Sequence, residues 1–177
     1  MDIIRSLQER QYRWDELPSS DGPGVYAYYL SEPEALSPIT VDRHQPLYVG
    51  LSEGSLDARS HFRHPHSGFS TFRRSLGAIL KERLGLTAVP RAPGSSPTNT
   101  QNYRFALEGE QRLTAWMRQH LLYAHVPLKE NVASAERELI GSLQPPLNLT
   151  GWRNPQNALI RDLRRRCAAE AQLSRAV

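Results

Sequence analysis

The sequence has almost no cysteine and no long apolar run, and each lack removes a class of protein. One cysteine, Cys167, among 177 residues excludes an internal disulfide and any zinc site built from several thiolates. No stretch approaches the roughly 18 consecutive apolar residues that a membrane helix requires. The opening Met1-Asp-Ile-Ile-Arg-Ser6 has no basic start running into an apolar core. No secretory signal is therefore expected, and the expected compartment is the cytoplasm. In that setting Asn148-Leu-Thr150 is not read as a glycosylation acceptor, although it matches one. What is present is an ordinary globular composition, 39% hydrophobic and 23% charged, of a length that suits one domain over 1–177 with its own core.

Charge is unevenly placed. The net charge is +4, and residues 151–177 alone carry six arginines against Asp162 and Glu170. Residues 1–150 therefore balance, yet within them 59–83 holds Arg59, Arg63, Arg73, Arg74, Lys81 and Arg83 against Glu82 alone. Two basic blocks on a neutral body suit contact with phosphates over two local surfaces; two solvated helix faces would give the same pattern.

Hydrophobic spacing predicts an α/β chain with a small, mostly antiparallel sheet of about three strands flanked by helices. Residues 2–13 read as an amphipathic helix capped by Asp2, and Pro18-Ser-Ser-Asp-Gly-Pro23 ends that first segment of 1–21. Gly24-Val-Tyr-Ala-Tyr-Tyr-Leu30 and Pro46-Leu-Tyr-Val-Gly-Leu51 are strand-like, rich in β-branched and aromatic residues, and joined by a long loop over Ser31–Gln45. Ser70 can cap a helix whose stripe is Phe72, Leu76, Ile79 and Leu80, with Gly85 as its stop. Residues 87–102 form a polar, proline-punctuated loop. Tyr103–Leu107 reads as the third strand, Glu110–Leu121 as a helix and Leu122–Leu128 as one more short strand. Val132–Leu143 is helical until Pro145-Pro146 breaks it, and a basic C-terminal helix starts at Asn154-Pro155. On that helix Leu159, Ile160, Leu163, Cys167 and Ala171 share one face, with Arg161 and Arg165 opposite.

None of this names an activity; the paired aromatic strands do more. Gly24-Val-Tyr26 followed by Tyr48-Val-Gly50 resembles the two signature tripeptides of the GIY-YIG endonuclease family, with valine for isoleucine in each. The family places an arginine about ten residues after the second tyrosine, and Arg59 lies eleven after Tyr48. It then places a glutamate on a later helix, followed by a Pro-Leu-Asn-like segment, which Glu136 and Pro146-Leu-Asn148 match. The resemblance covers roughly residues 22–150 and implies a nuclease core there. It is less close after the arginine, where many members carry a histidine or tyrosine four residues on. Here that position is Arg63, so His61 is the candidate for the role and Arg63 the alternative to Arg59.

Helical phase separates the two glutamates of 132–143. Glu136 stands three, four and seven positions before Leu139, Ile140 and Leu143 and so joins the buried stripe, whereas Glu138 points nearly opposite. Burying a carboxylate without a partner is unfavourable, and a metal ion or a buried arginine would offset that. By resemblance, Glu136 holds one divalent ion, Mg²⁺ or Mn²⁺, Arg59 clamps the phosphate, and Tyr26 and Tyr48 orient or deprotonate the attacking water. A base role for a tyrosine needs help, because the free phenol titrates near pH 10. Asn148 is expected to brace the site, and Gly50 to permit close approach. Arg63, Arg73, Arg74, Lys81, Arg161 and Arg165 are the expected phosphate contacts, on DNA by resemblance, with RNA not excluded. A homodimer would allow such a site to cut both strands. Three other readings compete: a zinc cluster of His61, His64 and His66, a non-catalytic nucleic-acid-binding module on a decayed nuclease fold, and a protein-interaction domain using the arginine ridge.

Overall fold

The computed structural model describes residues 2–62, 66–91 and 102–174. Its elements run α1 (Ile3–Glu9), β1 (Gly24–Leu30), β2 (Tyr48–Ser52), α2 (Leu56–Arg59), α3 (Thr71–Leu84), β3 (Ala88–Pro90), β4 (Tyr103–Phe105), α4 (Leu107–His120), β5 (Leu121–Pro127), α5 (Val132–Leu143) and α6 (Asn157–Leu173). Short 3₁₀ turns at Pro33–Leu36 and Ser67–Phe69 punctuate the connections. The chain divides into two compact units, Met1–His64 with Met117–Pro155, and Pro65–Trp116 with Gln156–Val177. No helix among the described residues is long and apolar enough to cross a membrane.

The first unit is built on an antiparallel sheet in the order β2-β1-β5. As the central strand, β1 is covered on both sides and all seven of its residues are buried, which is why its sequence lacks a polar alternation. One face packs Val25, Ala27 and Tyr29 with Val49, Ala124 and Val126 against Leu7 of α1 and Val132, Leu139 and Ile140 of α5. Strand alternation puts Tyr26 and Tyr28 on the other face. The expected antiparallel sheet flanked by helices is present, and its third strand is β5, which covers most of the expected Leu122–Leu128 segment. Tyr103–Phe105, the third strand expected in chain order, pairs with Ala88–Pro90 in a separate two-stranded sheet.

Helix ends follow their caps. Asp2 accepts the Arg5 N–H at 3.1 Å to start α1, which stops at Glu9, short of the expected residue 13. Beyond it, Tyr12 exchanges backbone hydrogen bonds with Tyr123 of β5 at 2.8 and 2.9 Å, a pairing that helical backbone would forbid. Helix α5 is bounded by Asn131 and Gln144, both in the left-handed region at φ 58° and 51°, and Pro145 and Pro146 follow.

In the second unit α3 begins at the Ser70 cap and ends at Gly85, at φ 56°. Phe72, Leu76, Tyr103, Phe105, Leu113 and Cys167 are buried in this unit. Burial holds the Cys167 thiol up at about 11, so it is an unreactive core residue. The residues 92–101 of the expected 87–102 loop lie outside the described residues.

Candidate active site

Strand register writes out the aromatic face of the first unit. Tyr26 stands opposite Gly50 on one side and His125 on the other, and in the next row Tyr28 stands opposite Tyr48 and Tyr123. The Tyr26 ring needs the bare α-carbon of Gly50: a Cβ there would lie 2.5 Å from its Cζ and its hydroxyl oxygen. The space that glycine leaves is thus filled by a side chain of the same sheet. Tyr26 also stacks on Tyr123 at a ring separation of 5.9 Å and meets Tyr28 edge-on at 5.9 Å.

After β2 the chain turns through α2, capped by Ser55, and delivers Arg59 and His61 to this face. His61 is almost fully buried, and its Nε2 lies 3.0 Å from the Tyr26 hydroxyl. Its backbone N–H donates to the Tyr28 hydroxyl at 3.1 Å, so a second tyrosine fixes the segment that carries the imidazole. The Tyr48 ring lies 6.3 Å from both Tyr26 and His61. Tyr26, Tyr48 and His61 therefore form one cluster.

Arg59 and Glu136 are tied to the same cluster electrostatically. Burial, then the neighbouring Tyr48 and Tyr28, push the Tyr26 phenol well above its ordinary range, and Arg59 opposes the rise. Tyr48 is raised by burial and by the charge of Glu136, again opposed by Arg59. Both phenols are thus protonated at neutral pH and are donors rather than phenolate bases. Glu136 is half-buried on α5, and its carboxyl is raised by burial against the pull of Arg59 and Arg137. It accepts no hydrogen bond and forms no ion pair with another described residue. Among the described residues no group of three or more His, Cys, Asp or Glu could hold a metal. A partly desolvated carboxylate with no partner fits a divalent ion that takes few protein ligands and keeps most of its waters.

Asn148 acts on strand β2. Its Oδ1 accepts the Val49 N–H at 2.8 Å and its Nδ2 donates to the Val49 carbonyl at 2.9 Å, capping the free edge of the strand between Tyr48 and Gly50. The Leu147 N–H donates to Leu47 at 3.0 Å alongside. Asn148 is itself held, because its carbonyl accepts from the side chains of Trp152 and Asn154.

The expected phosphate contacts fare differently. Arg63, and His64 of the suggested zinc cluster, lie outside the described residues. Arg73 is a correction: it is wholly buried in the second unit, where it donates to the Glu110 carboxylate at 2.8 Å and to Thr114 at 2.9 Å. Glu110 also accepts the N–H groups of Ser67 and Phe105, so this ion pair organises a core and presents nothing to solvent. Arg74 is likewise buried, donates to the Gly68 carbonyl at 2.8 Å, and is depressed to about 10 by burial and the nearby Arg164. Lys81 is largely covered and pairs with Glu170 at 3.2 Å. Arg161 and Arg165 are exposed on α6, and Arg165 shares Asp162 with Arg166.

Sequence reading missed three members of the aromatic face. Tyr28 was available from strand alternation, since it lies two residues after Tyr26. Tyr123 and His125 depended on knowing that β5 pairs with β1. His125 is depressed below its ordinary range by burial, against the charge of Asp57, and its Nδ1 has no hydrogen-bond partner among the described residues.

A family model described as the GIY-YIG catalytic domain matches residues 24–167. No curated protein and no solved structure matches the chain. The match opens on Gly24, the first residue of Gly24-Val-Tyr26, and takes in both tyrosine tripeptides, Arg59, Glu136 and Asn148. The chain belongs to the GIY-YIG nuclease family.

Proposed function

We propose that the chain is an endonuclease that hydrolyses DNA phosphodiesters with one divalent ion, Mg²⁺ or Mn²⁺, through Tyr26, Tyr48, Arg59, His61 and Glu136. The observation that carries this reading is the 3.0 Å contact between the Tyr26 hydroxyl and His61 Nε2. A buried phenol is a poor base by itself, and an imidazole in hydrogen-bond contact supplies what it lacks.

With its proton on Nδ1, His61 accepts the Tyr26 hydroxyl hydrogen at Nε2. As the attacking water bonds to phosphorus, its proton passes to the Tyr26 oxygen and the Tyr26 proton passes to His61. Tyr48 holds the water in line, and the Arg59 fork binds the non-bridging oxygens and steadies the charge that builds on them. The bond from phosphorus to the leaving oxygen then breaks, and that oxygen keeps the electron pair until it is protonated. Glu136 holds the metal, which supplies Lewis-acid stabilisation of the phosphoryl charge and the leaving oxygen when bound. Asn148 keeps β2, and with it Tyr48, in place.

Cleavage of plasmid and single-stranded DNA is measured with Mg²⁺ or Mn²⁺ for wild type and Glu136→Gln. Metal-dependent cutting in the wild type alone is the expected result. Cutting that persists in the variant removes Glu136 from the site, and salt-sensitive binding without cutting under any metal identifies a binding module instead.

A further inference from the structure

The first unit has a second feature, a cleft of about 500 Å³ between Glu53, just past the end of β2, and the start of α5, and it reaches Arg137, the residue after Glu136. Lys129, Asn131, Ser134 and Arg137 line its other walls. Its two cations differ from several others among the described residues. Arg5, Arg165 and Arg166 are bound to carboxylates, Lys81 is bound to Glu170, and Arg112 is bound to the carbonyls of Leu84 and Gly85. Lys129 and Arg137 are both exposed and make no hydrogen bond or ion pair with another described residue. Arg137 follows Glu136 directly in α5 and is close enough for its charge to act on that carboxyl.

We infer that this cleft binds the sugar-phosphate backbone of the substrate strand, next to the scissile phosphate and on its leaving-group side. The inference rests on the nuclease reading, in which Glu136 lies beside the leaving oxygen. A strand passing Glu136 meets Arg137 next. Its planar fork matches two non-bridging phosphate oxygens, and Lys129 adds a mobile point charge. The space suits one nucleotide's sugar and phosphate, and Glu53 opposes an anion seated at the β2 end, which sets the phosphate toward α5. Phosphate contact carries no base information, so the cleft gives register and affinity without sequence preference.

The test uses the full chain with Glu136→Gln, which prevents cutting, and a labelled oligonucleotide in single-stranded and duplex form. Affinity is read by fluorescence anisotropy across a series of salt concentrations, with and without Lys129→Ala plus Arg137→Ala. Both side chains are exposed, and a thermal melt verifies that the double variant keeps its fold. Loss of two phosphate contacts lowers the slope of log affinity against log salt by about 2 for duplex DNA. Weakened binding of that kind supports the inference. A parent chain that binds DNA with a slope the double variant leaves unchanged overturns it while the nuclease reading stands. Absence of both binding and cutting in the wild type overturns the two together. Competition by inorganic phosphate that matches the oligonucleotide in affinity also overturns it, by showing a site for a free anion.

Discussion

The Tyr26 ring lies over the bare α-carbon of its cross-strand partner Gly50, so closely that any side chain at position 50 must displace it. The ring is wedged among Tyr28, Tyr48, Tyr123 and His61, and its hydroxyl ends on the His61 imidazole. Gly50→Ala is therefore expected to move the hydroxyl off His61. Displacement by about 1 Å reduces turnover roughly 100-fold, while overpacking costs about 1–3 kcal/mol of stability. Single-turnover cleavage read beside urea unfolding separates the two. Gly77→Ala is the control, because its Cβ would meet the Phe105 ring in the second unit. It should lower stability with far less effect on the chemical step.

If Tyr26 and His61 pass one proton between them, they act as a unit. Tyr26→Phe and His61→Ala should each slow the chemical step by about 10²–10⁴-fold. The double variant should be little slower than the worse single one, since either loss breaks the same relay. Additive losses in a single-turnover double-mutant cycle would show that the two side chains serve different steps.

How much of this was legible in the sequence depended on whether a residue's role is local. Ser70 and Gly85 bound α3 and Val132–Leu143 is α5 as expected, because capping and helical spacing are read within a few residues. The same phase argument separated Glu136, which is half-buried, from Glu138, which is exposed. The partner of β1 was not legible in this way, because Tyr103–Phe105 and Leu121–Pro127 are both short apolar segments and strand pairing is a long-range choice. The short β3 was hidden in a proline-punctuated segment. Arg73 was misread for a different reason. It lies three and seven positions before Leu76 and Leu80, so phase already places it inside, but its place in a basic block points to a phosphate contact. Its partner Glu110 lies 37 residues away, and nothing local announces that pairing.

That pairing makes Arg73 a residue of stability. Glu110→Ala leaves the Arg73 guanidinium buried without its carboxylate and should cost about 3–5 kcal/mol, the range for breaking a buried ion pair from one side. Arg73→Ala should also destabilise. It should leave the salt dependence of DNA binding by the folded fraction unchanged, because a wholly buried cation releases no counterions from DNA. Chemical denaturation and salt-series anisotropy on the same samples test both statements.

Asn148 is open to a sharper test than deletion alone. Asn148→Ala strands the Val49 N–H and carbonyl at the edge of β2, at about 1–3 kcal/mol for each group left unsatisfied. Asn148→Asp keeps an acceptor for the N–H but sets a carboxylate oxygen against the Val49 carbonyl. It should rescue little of the stability. Because Tyr48 and Gly50 flank Val49, both variants should slow cleavage with loss of β2 order, which backbone amide exchange at Val49 reports directly.

The buried phenols of the first unit also predict how its stability responds to alkali. Tyr26, Tyr29 and Tyr48 are all raised above the ordinary phenol value, with burial as the leading cause. In the unfolded chain they lose their protons near pH 10, whereas in the fold they keep them to higher pH. The unfolded state then binds fewer protons than the native one, so unfolding becomes more favourable as pH rises. Their contribution is fully present below about pH 10 and is lost progressively above it. The expected record is a melting temperature that is insensitive to these groups near neutrality and falls steeply above that point. Phenolate absorbance of a late-titrating tyrosine class should appear together with the loss of far-ultraviolet circular dichroism. Full ionisation of every tyrosine while the fold remains intact would show that these hydroxyls reach solvent, and would remove the reason for giving Tyr26 an imidazole as its proton acceptor.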